Sequence, residues 1–190
     1  MNLPKRTNPN RANNLFDPRR KKLITADVAI DLMDLKKDET IADLGAGNGY
    51  FTLSLSKKSN FVYAVDIEPK MLELLETRVK KEGITNITFV KSDLENINLA
   101  ENSVEKALIA FVLHEVPSKS KAIKEMGRII KSGGRLVLFE WEPVETEIGP
   151  PLYEKISSDQ VSNLLEENGF ATKTVHVNQA IYAIIATNKN

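Results

Sequence analysis

The sequence predicts an α/β fold in which a largely parallel β-sheet carries helices on both faces. Short apolar runs recur along the chain, and segments with helical spacing separate them. Most of these runs are continuously apolar, as expected for strands that are covered on both faces. Strands that alternate with helices form parallel sheets with right-handed crossovers. At 190 residues the chain has the size of one domain.

Five apolar runs are predicted to form the parallel strands. They are TIADL at 40–44, FVYAVD at 61–66, NITFV at 86–90, KALIAFVL at 106–113 and RLVLFEW at 135–141. Helices are predicted between them, because apolar residues recur there at helical spacing. Pro69 suits the first turn of one helix, and Gly133-Gly134 is predicted to end a later helix that contains Ile123 and Met126.

The C-terminal part changes character. Ser157 and Gln160 fit a capping box at the start of a helix that Gly169 ends. The runs TKTVHV and AIYAIIAT then flank Asn178-Gln179 and partly alternate, which is typical of an antiparallel hairpin. The sheet is therefore predicted to begin parallel and to finish with a reversed edge strand.

Composition limits the classes of function. The chain has no cysteine, which excludes thiolate nucleophiles and cysteine-bound zinc, and no metal site is predicted. There is no apolar run of membrane-spanning length and no secretory signal, so we expect a cytoplasmic protein. Residues 1–22 carry seven basic residues against Asp17. Such an arm can attract polyanions, but it lacks the interleaved aromatic residues of proteins that bind single-stranded nucleic acids. A solvated tail is therefore the simpler interpretation.

The stretch IADLGAGNGYFT at 41–52 is the first candidate for a binding site. Its glycines follow a strand and precede a helix, where open α/β sheets bind ligands. A dinucleotide fingerprint would place a glycine at position 50, which is Tyr50. The spacing is instead G-x-G-x-G, with Asp43 upstream. A carboxylate there repels a pyrophosphate and favours a cationic group such as an amine or a sulfonium.

This stretch resembles motif I of class I S-adenosylmethionine-dependent methyltransferases. Asp66 ends the second strand, 21 residues beyond Gly45, where an acid can accept both ribose hydroxyls. Asp93 ends the third strand, and the resemblance implies that it binds the adenine amino group while the Leu94 amide meets the ring and Ile67 packs on its face. The predicted cofactor is S-adenosylmethionine, bound by Asp43, Gly45, Ala46, Gly47, Gly49, Asp66, Ile67, Asp93, Leu94 and Phe111.

The resemblance runs from about residue 25 to the end. The segments at 102–116 and 126–141 look like the fourth and fifth strand regions of ubiquinone/menaquinone-biosynthesis-type methyltransferases. It implies a Rossmann-like seven-stranded sheet of order 3-2-1-4-5-7-6 with strand 7 antiparallel. It also implies a division into a basic arm or lid at 1–24, which includes Phe16, and a methyltransferase domain at 25–190. The proline-rich loop at 143–151 would be a second lid.

His114 is the candidate catalytic residue, because it follows the fourth apolar run at the predicted sheet edge and imidazole titrates near neutrality. A histidine that only shapes the substrate pocket is an equal alternative. Glu115 could orient it or simply begin a helix. Trp141 and Tyr50 could offer aromatic faces to a cation, although core packing suits Trp141 better. His176 is interpreted as structural.

A small-molecule acceptor is favoured, and a protein acceptor stays open. The cysteines of arsenite methyltransferases are missing, and FVLHEVPS does not match the tetrad of amino-methylating nucleic-acid enzymes. Two alternatives remain at this point: a nicotinamide-dependent oxidoreductase, against which Asp43 and Tyr50 argue, and a non-catalytic protein that binds the cofactor or a partner.

Overall fold

A computed structural model describes residues 24–190. The predicted arm at 1–24 therefore lies outside the described residues except for Ile24. The helices are α1 (Ala26–Met33), α2 (Thr52–Ser56), α3 (Pro69–Glu82), α4 (Lys119–Ile129) and α5 (Ser158–Glu167). The strands are β1 (Thr40–Leu44), β2 (Phe61–Asp66), β3 (Ile87–Lys91), β4 (Val104–Ala110), β5 (Ile130–Trp141), β6 (Phe170–His176) and β7 (Ile181–Asn188). Short 3₁₀ turns lie at Leu113–Glu115 and Leu152–Glu154.

The seven strands form one sheet of order β3-β2-β1-β4-β5-β7-β6, which confirms the predicted order. β1 to β5 are parallel to one another, whereas β7 is antiparallel to both β5 and β6. The hairpin of β6 and β7 is thus confirmed. The expectation of a reversed strand at the very edge is wrong, because β7 lies between β5 and β6, and β6 forms the edge.

Local sequence explains the ends of the helices. Pro69 occupies the first turn of α3, where a missing N–H costs nothing, and Gly83 ends that helix with a φ of 66°. The capping box at α5 is present: the Ser157 hydroxyl accepts from the Gln160 amide, and the Gln160 side chain accepts from the Ser157 amide.

Two element boundaries differ from the sequence prediction. β4 ends at Ala110 rather than at residue 113, because Phe111 adopts a φ of 61° that turns the chain out of the sheet. α4 ends at Ile129, and Gly133-Gly134 lies inside β5 instead of ending the helix. A Cβ on Gly134 would meet the Glu105 carbonyl oxygen at 2.6 Å, so this glycine permits a close strand contact.

The hydrophobic core lies on both faces of the sheet. One face packs against α4 and α5 through a cluster that includes Ile123 and Leu165. The other face packs against α1, α2 and α3 through two smaller clusters. The predicted helices on both faces are thus confirmed. Within residues 24–190, no helix has the length and apolar character needed to cross a membrane.

Candidate active site

An open cleft lies at the carboxyl ends of the central strands, where α/β sheets bind ligands. It is bounded by the turn after β1, the end of β2, the segment after β3 and the turn after β4. The residues that line it are Ile24, Gly45, Ala46, Gly47, Asn48, Tyr50, Phe51, Asp66, Ile67, Glu68, Met71, Ser92, Asp93, Leu94, Ala110, Phe111, Val112, Glu115, Val116 and Pro117. Polar side chains therefore line this cleft at the ends of all four of these strands.

The glycine turn after β1 brings bare backbone to the cleft. Gly45 has a φ of 77°, which L side chains rarely adopt, and a Cβ there would lie 2.5 Å from Cγ2 of Val112. The Gly45 and Ala46 amides both donate to the Val65 carbonyl, at 2.8 and 2.9 Å, and so fix the turn against β2. The turn thus keeps a fixed shape while it leaves room for a ligand beside it.

Gly49 serves packing rather than the cleft. It does not line the cleft, and a Cβ on it would lie 2.1 Å from Cδ1 of Leu75 in α3. The glycine pattern thus has two separate causes. Gly45 and Gly47 lie at the cleft, while Gly49, with a φ of 88°, allows α3 to approach the turn.

Asp66 ties the end of β2 to the glycine turn. Its Oδ2 accepts from the Gly47 amide at 2.7 Å, and its Oδ1 accepts from the Glu68 amide at 2.8 Å. Burial raises the pKa of Asp66 above its ordinary value, although the two amide hydrogen bonds oppose that rise. Since each carboxylate oxygen has a second lone pair, Asp66 can still accept two hydroxyl groups from the cleft.

Asp93 lies at the same edge, after β3. Its Oδ1 accepts from the Glu95 amide at 2.9 Å, so a tight turn holds the carboxylate in place. Ile67 and Leu94 line the cleft next to these two acids, and Leu94 is buried. Of the ten predicted cofactor residues, the cleft therefore brings together all except Asp43 and Gly49.

Asp43 lies behind the turn instead of in the cleft. Its side chain is buried, and its Oδ2 accepts from the Thr52 hydroxyl at 2.5 Å. Burial raises the pKa of Asp43 from its ordinary 3.8 to about 7, even though the Thr52 hydrogen bond lowers it. In this structure the group acts as a buried polar support for the glycine turn, and a direct contact with a ligand stays a prediction.

Replacing Asp43 with asparagine should flatten the pH dependence of stability. The pKa of Asp43 is raised in the folded chain, so the folded state binds more protons than the unfolded state between about pH 4 and pH 7. The stabilisation is therefore complete below the unfolded pKa and is lost as the pH rises towards 7. Urea unfolding at several pH values should show wild type losing more stability over this window than Asp43→Asn. Equal slopes would contradict the prediction.

His114 does not line the cleft. It lies in the 3₁₀ turn Leu113–Glu115 and is 8% exposed, with its Nδ1 2.9 Å from both carboxylate oxygens of Glu140. Burial opposes the charged imidazole, but the hydrogen bond and charge of Glu140, together with Glu115 and Glu154, raise the pKa of His114 above its ordinary value.

Glu140 is the residue of this region that the sequence analysis missed. It is fully buried in β5, where it also accepts from the backbone amides of His114 and Trp141. The available signal was a single acid inside the apolar run RLVLFEW. A charged side chain in a strand that is covered on both faces requires a partner.

The other candidates are distributed as follows. Trp141 is 1% exposed, its ring lies 5.4 Å from that of Phe111, and its Nε1 has no hydrogen-bond partner among residues 24–190. Tyr50 lines the cleft, and its hydroxyl donates to the Ile24 carbonyl at 3.1 Å. The His176 side chain is largely exposed at the end of β6, with Nδ1 3.8 Å from Glu142.

Within residues 24–190, no group of three or more acidic or histidine side chains could hold a metal ion.

Comparison with known proteins points to one family. The model of the family described as "Methyltransferase domain" matches residues 42–138, just over half of the chain. These residues include the glycine turn, Asp66, Asp93 and His114. The matched segment therefore contains most of the cleft described above.

Two similar relatives are both named as C-methyltransferases. The ubiquinone/menaquinone biosynthesis C-methyltransferase of Haemophilus ducreyi is 31% identical over 132 residues, which cover 67% of this chain and 48% of that protein. The protein of the same name from Hydrogenovibrio crunogenus is 28% identical over 162 residues, 83% of this chain and 61% of its own. The chain thus spans about half to three fifths of the length of these relatives.

A solved structure resembles the chain over nearly its full length. It is described as a SAM-dependent methyltransferase from Aquifex aeolicus, and it is 29% identical to this chain with a TM-score of 0.89. The likeness covers 96% of this chain and 99% of that one. The architecture of the whole domain, and not only of the cleft, is therefore shared with a methyltransferase.

Proposed function

The chain belongs to the methyltransferase domain family and is a class I S-adenosylmethionine-dependent methyltransferase, and on this premise we propose how it binds its cofactor and which acceptor it uses. The cofactor lies across the cleft, with the methionine part along the glycine turn at 45–47. Asp66 accepts its ribose hydroxyls. Its adenine is surrounded by Asp93, Ile67 and Leu94. Phe111 also lies beside the cofactor.

The geometry of the turn is the observation that supports this proposal most strongly. Val112 already occupies the space that a side chain at position 45 would need, and the left-handed φ also requires glycine, so the wall of the cleft here is bare backbone. Asp66 is anchored by two amides, one on each carboxylate oxygen, which fix the orientation of the carboxylate. Asp43 supports the turn from behind, and a cationic group bound nearby would favour its ionised form.

The contribution of the protein to the reaction is mainly alignment. The bound cofactor supplies a methyl group on a positively charged sulfur, which is a good leaving group. The chain has to hold an acceptor in line with that bond and exclude water, and such alignment is worth about 7–11 kcal/mol. The apolar residues Val112, Val116 and Pro117 line the cleft after β4 and are suited to exclude water there.

The acceptor is proposed to be a small aromatic molecule of the quinol type, methylated in the cytoplasm. Two relatives are named as C-methyltransferases of ubiquinone and menaquinone biosynthesis, which is the basis for this class. Phe111 and Tyr50 offer aromatic side chains at the cleft for such a ring. The N-terminal arm and the loop at 143–151 are proposed to cover the acceptor.

Calorimetry with S-adenosylhomocysteine and with NAD tests the cofactor assignment. We expect the full chain to bind S-adenosylhomocysteine and not NAD, and binding of NAD alone would overturn the assignment. Methyl-labelled cofactor with 1,4-dihydroxynaphthalene as the probe acceptor then tests the acceptor class. Label that appears only in protein when a cell extract is added would favour a protein acceptor.

A further inference from the structure

A line of three side chains runs from the core of the sheet to the cleft. Glu140 is fully buried in β5, His114 is 8% exposed in front of it, and Glu115 lines the cleft. Nδ1 of His114 lies 2.9 Å from both oxygens of Glu140, and its Nε2 lies 3.9 Å from Oε1 of Glu115. The imidazole therefore has one carboxylate on each side.

Glu140 fixes the orientation of the imidazole. A carboxylate oxygen can only accept, so Nδ1 must carry a proton, and Nε2 is left to face Glu115. Glu140 also accepts from the His114 backbone amide at 3.1 Å, which fixes the start of the same turn. Among residues 24–190, the ion pair that Glu140 forms is with His114. A buried carboxylate stays ionised only with such compensation.

The neighbouring elements add mainly negative charge. Besides Glu140 from β5 and Glu115 from its own turn, Glu154 from the second 3₁₀ turn acts on His114, and all three favour the imidazolium. Tyr182 of β7 lies near Glu140, but its hydroxyl donates to the Ile156 carbonyl at 2.9 Å. The imidazole is thus held between carboxylates behind Glu115, which lines the cleft.

We propose that Glu115 is the catalytic proton acceptor of the methyl transfer and that His114 and Glu140 are its positioning residues. This inference rests on the proposed function, because it assumes an acceptor that loses a proton when it is methylated. It also changes the role expected for His114: Glu115, which reaches the cleft, contacts the acceptor, and His114 acts through it.

The step balances without any further reactant. The acceptor atom forms a bond to the methyl carbon, and the carbon–sulfur bond breaks with its electron pair going to sulfur, which becomes a neutral thioether. The proton of the acceptor atom goes to an oxygen of Glu115. One imidazolium between two carboxylates carries one net negative charge, so the three groups together can take up this single proton.

Imidazole NMR of the full chain, with S-adenosylhomocysteine present, tests the connection between the three groups. The sequence holds only two histidines, so His176→Gln assigns the His114 signals directly. We expect a protonated Nδ1 in His114 and a titration midpoint above the ordinary histidine range. Both Glu140→Gln and Glu115→Gln should lower that midpoint, whereas Glu167→Gln, a change of an exposed acid at the end of α5, should leave it in place.

Glu115→Gln decides the inference even if Glu140→Gln does not fold, because position 115 borders the cleft. An unchanged His114 midpoint in Glu115→Gln would show that the line of groups does not reach the cleft and would overturn the inference. If the wild-type chain does not bind S-adenosylhomocysteine, the proposed function is overturned instead. The two failures are therefore distinguishable.

Turnover of 1,4-dihydroxynaphthalene gives the second measurement. Glu115→Gln should lower kcat by about 100-fold or more, the scale of a lost general base, with little change in KM. Glu140→Gln should shift the pH at which kcat is half-maximal, which a purely structural role would not do. A Glu115→Gln enzyme with wild-type kcat would also overturn the inference. If the wild-type chain does not methylate this probe, the acceptor class fails and the titration alone decides the inference.

Discussion

Replacing Asp66 with alanine is expected to weaken the binding of S-adenosylhomocysteine by about 10- to 150-fold. Hydrogen bonds to a charged group contribute about 1.5–3 kcal/mol, and each 1.4 kcal/mol corresponds to a factor of ten. The change removes the proposed acceptor for the ribose and also releases the Gly47 amide, which donates to Asp66 at 2.7 Å. The ligand therefore loses a direct partner and the fixed shape of the turn.

Calorimetry on Asp66→Ala, wild type and Asp159→Ala measures this effect. Asp159 is an exposed acid in the first turn of α5, far along the chain from the cleft, and its replacement should leave the affinity unchanged. Thermal unfolding without ligand should show that Asp66→Ala still folds, because the substitution also removes a carboxylate that burial disfavours. Wild-type affinity in Asp66→Ala would mean that the ribose is bound elsewhere.

The strands of this sheet could be predicted because their apolar runs are short and bounded. The runs at 40–44 and 61–66 agree with β1 and β2 residue for residue. Parallel strands buried on both faces leave little ambiguity once a turn follows each one. The position of the cleft followed from the same pattern, since the ends of β1, β2 and β3 are the places where the glycines, Asp66 and Asp93 occur.

The turn after β4 could not be predicted in the same way. Phe111 has a φ of 61°, and a bulky residue gives no local signal for a left-handed backbone. The tertiary structure decides there: the Phe111 amide donates to the Phe139 carbonyl of β5 at 2.9 Å. The apolar run alone predicts a strand that continues to residue 113, which would place His114 at the sheet edge.

The pairing of His114 with Glu140 depends on strand register, which the sequence does not state. β4 and β5 are parallel with Ala110 opposite Phe139, so the residues that follow these two positions lie side by side. The turn after Phe111 then brings His114 against Glu140, which lies 26 positions further along the chain. Asp43 shows the converse case: its residue type suggested a ligand contact, but the short turn to α2 places Thr52 against it.

Replacing Gly45 with alanine is expected to destabilise the fold by about 2–5 kcal/mol and to abolish cofactor binding. The φ of 77° costs a residue with a Cβ about 1–2 kcal/mol. The new methyl group would also lie 2.5 Å from Cγ2 of Val112, and such overpacking adds about 1–3 kcal/mol. Relief of this contact requires movement of the turn, which also forms the wall of the cleft.

Gly83→Ala is the matched control for the cost of placing a Cβ on a residue with a left-handed φ. Gly83 has a φ of 66°, but within the described part of the chain no heavy atom lies within 4 Å of a Cβ built there, so its replacement should show strain without crowding. Urea unfolding of both variants, with Val112→Ala and the double variant Gly45→Ala/Val112→Ala, forms a cycle that isolates the contact between positions 45 and 112. The double variant should recover the stability lost to crowding but not the stability lost to backbone strain. If Gly45→Ala loses no more stability than Gly83→Ala, Val112 does not limit the space beside the turn.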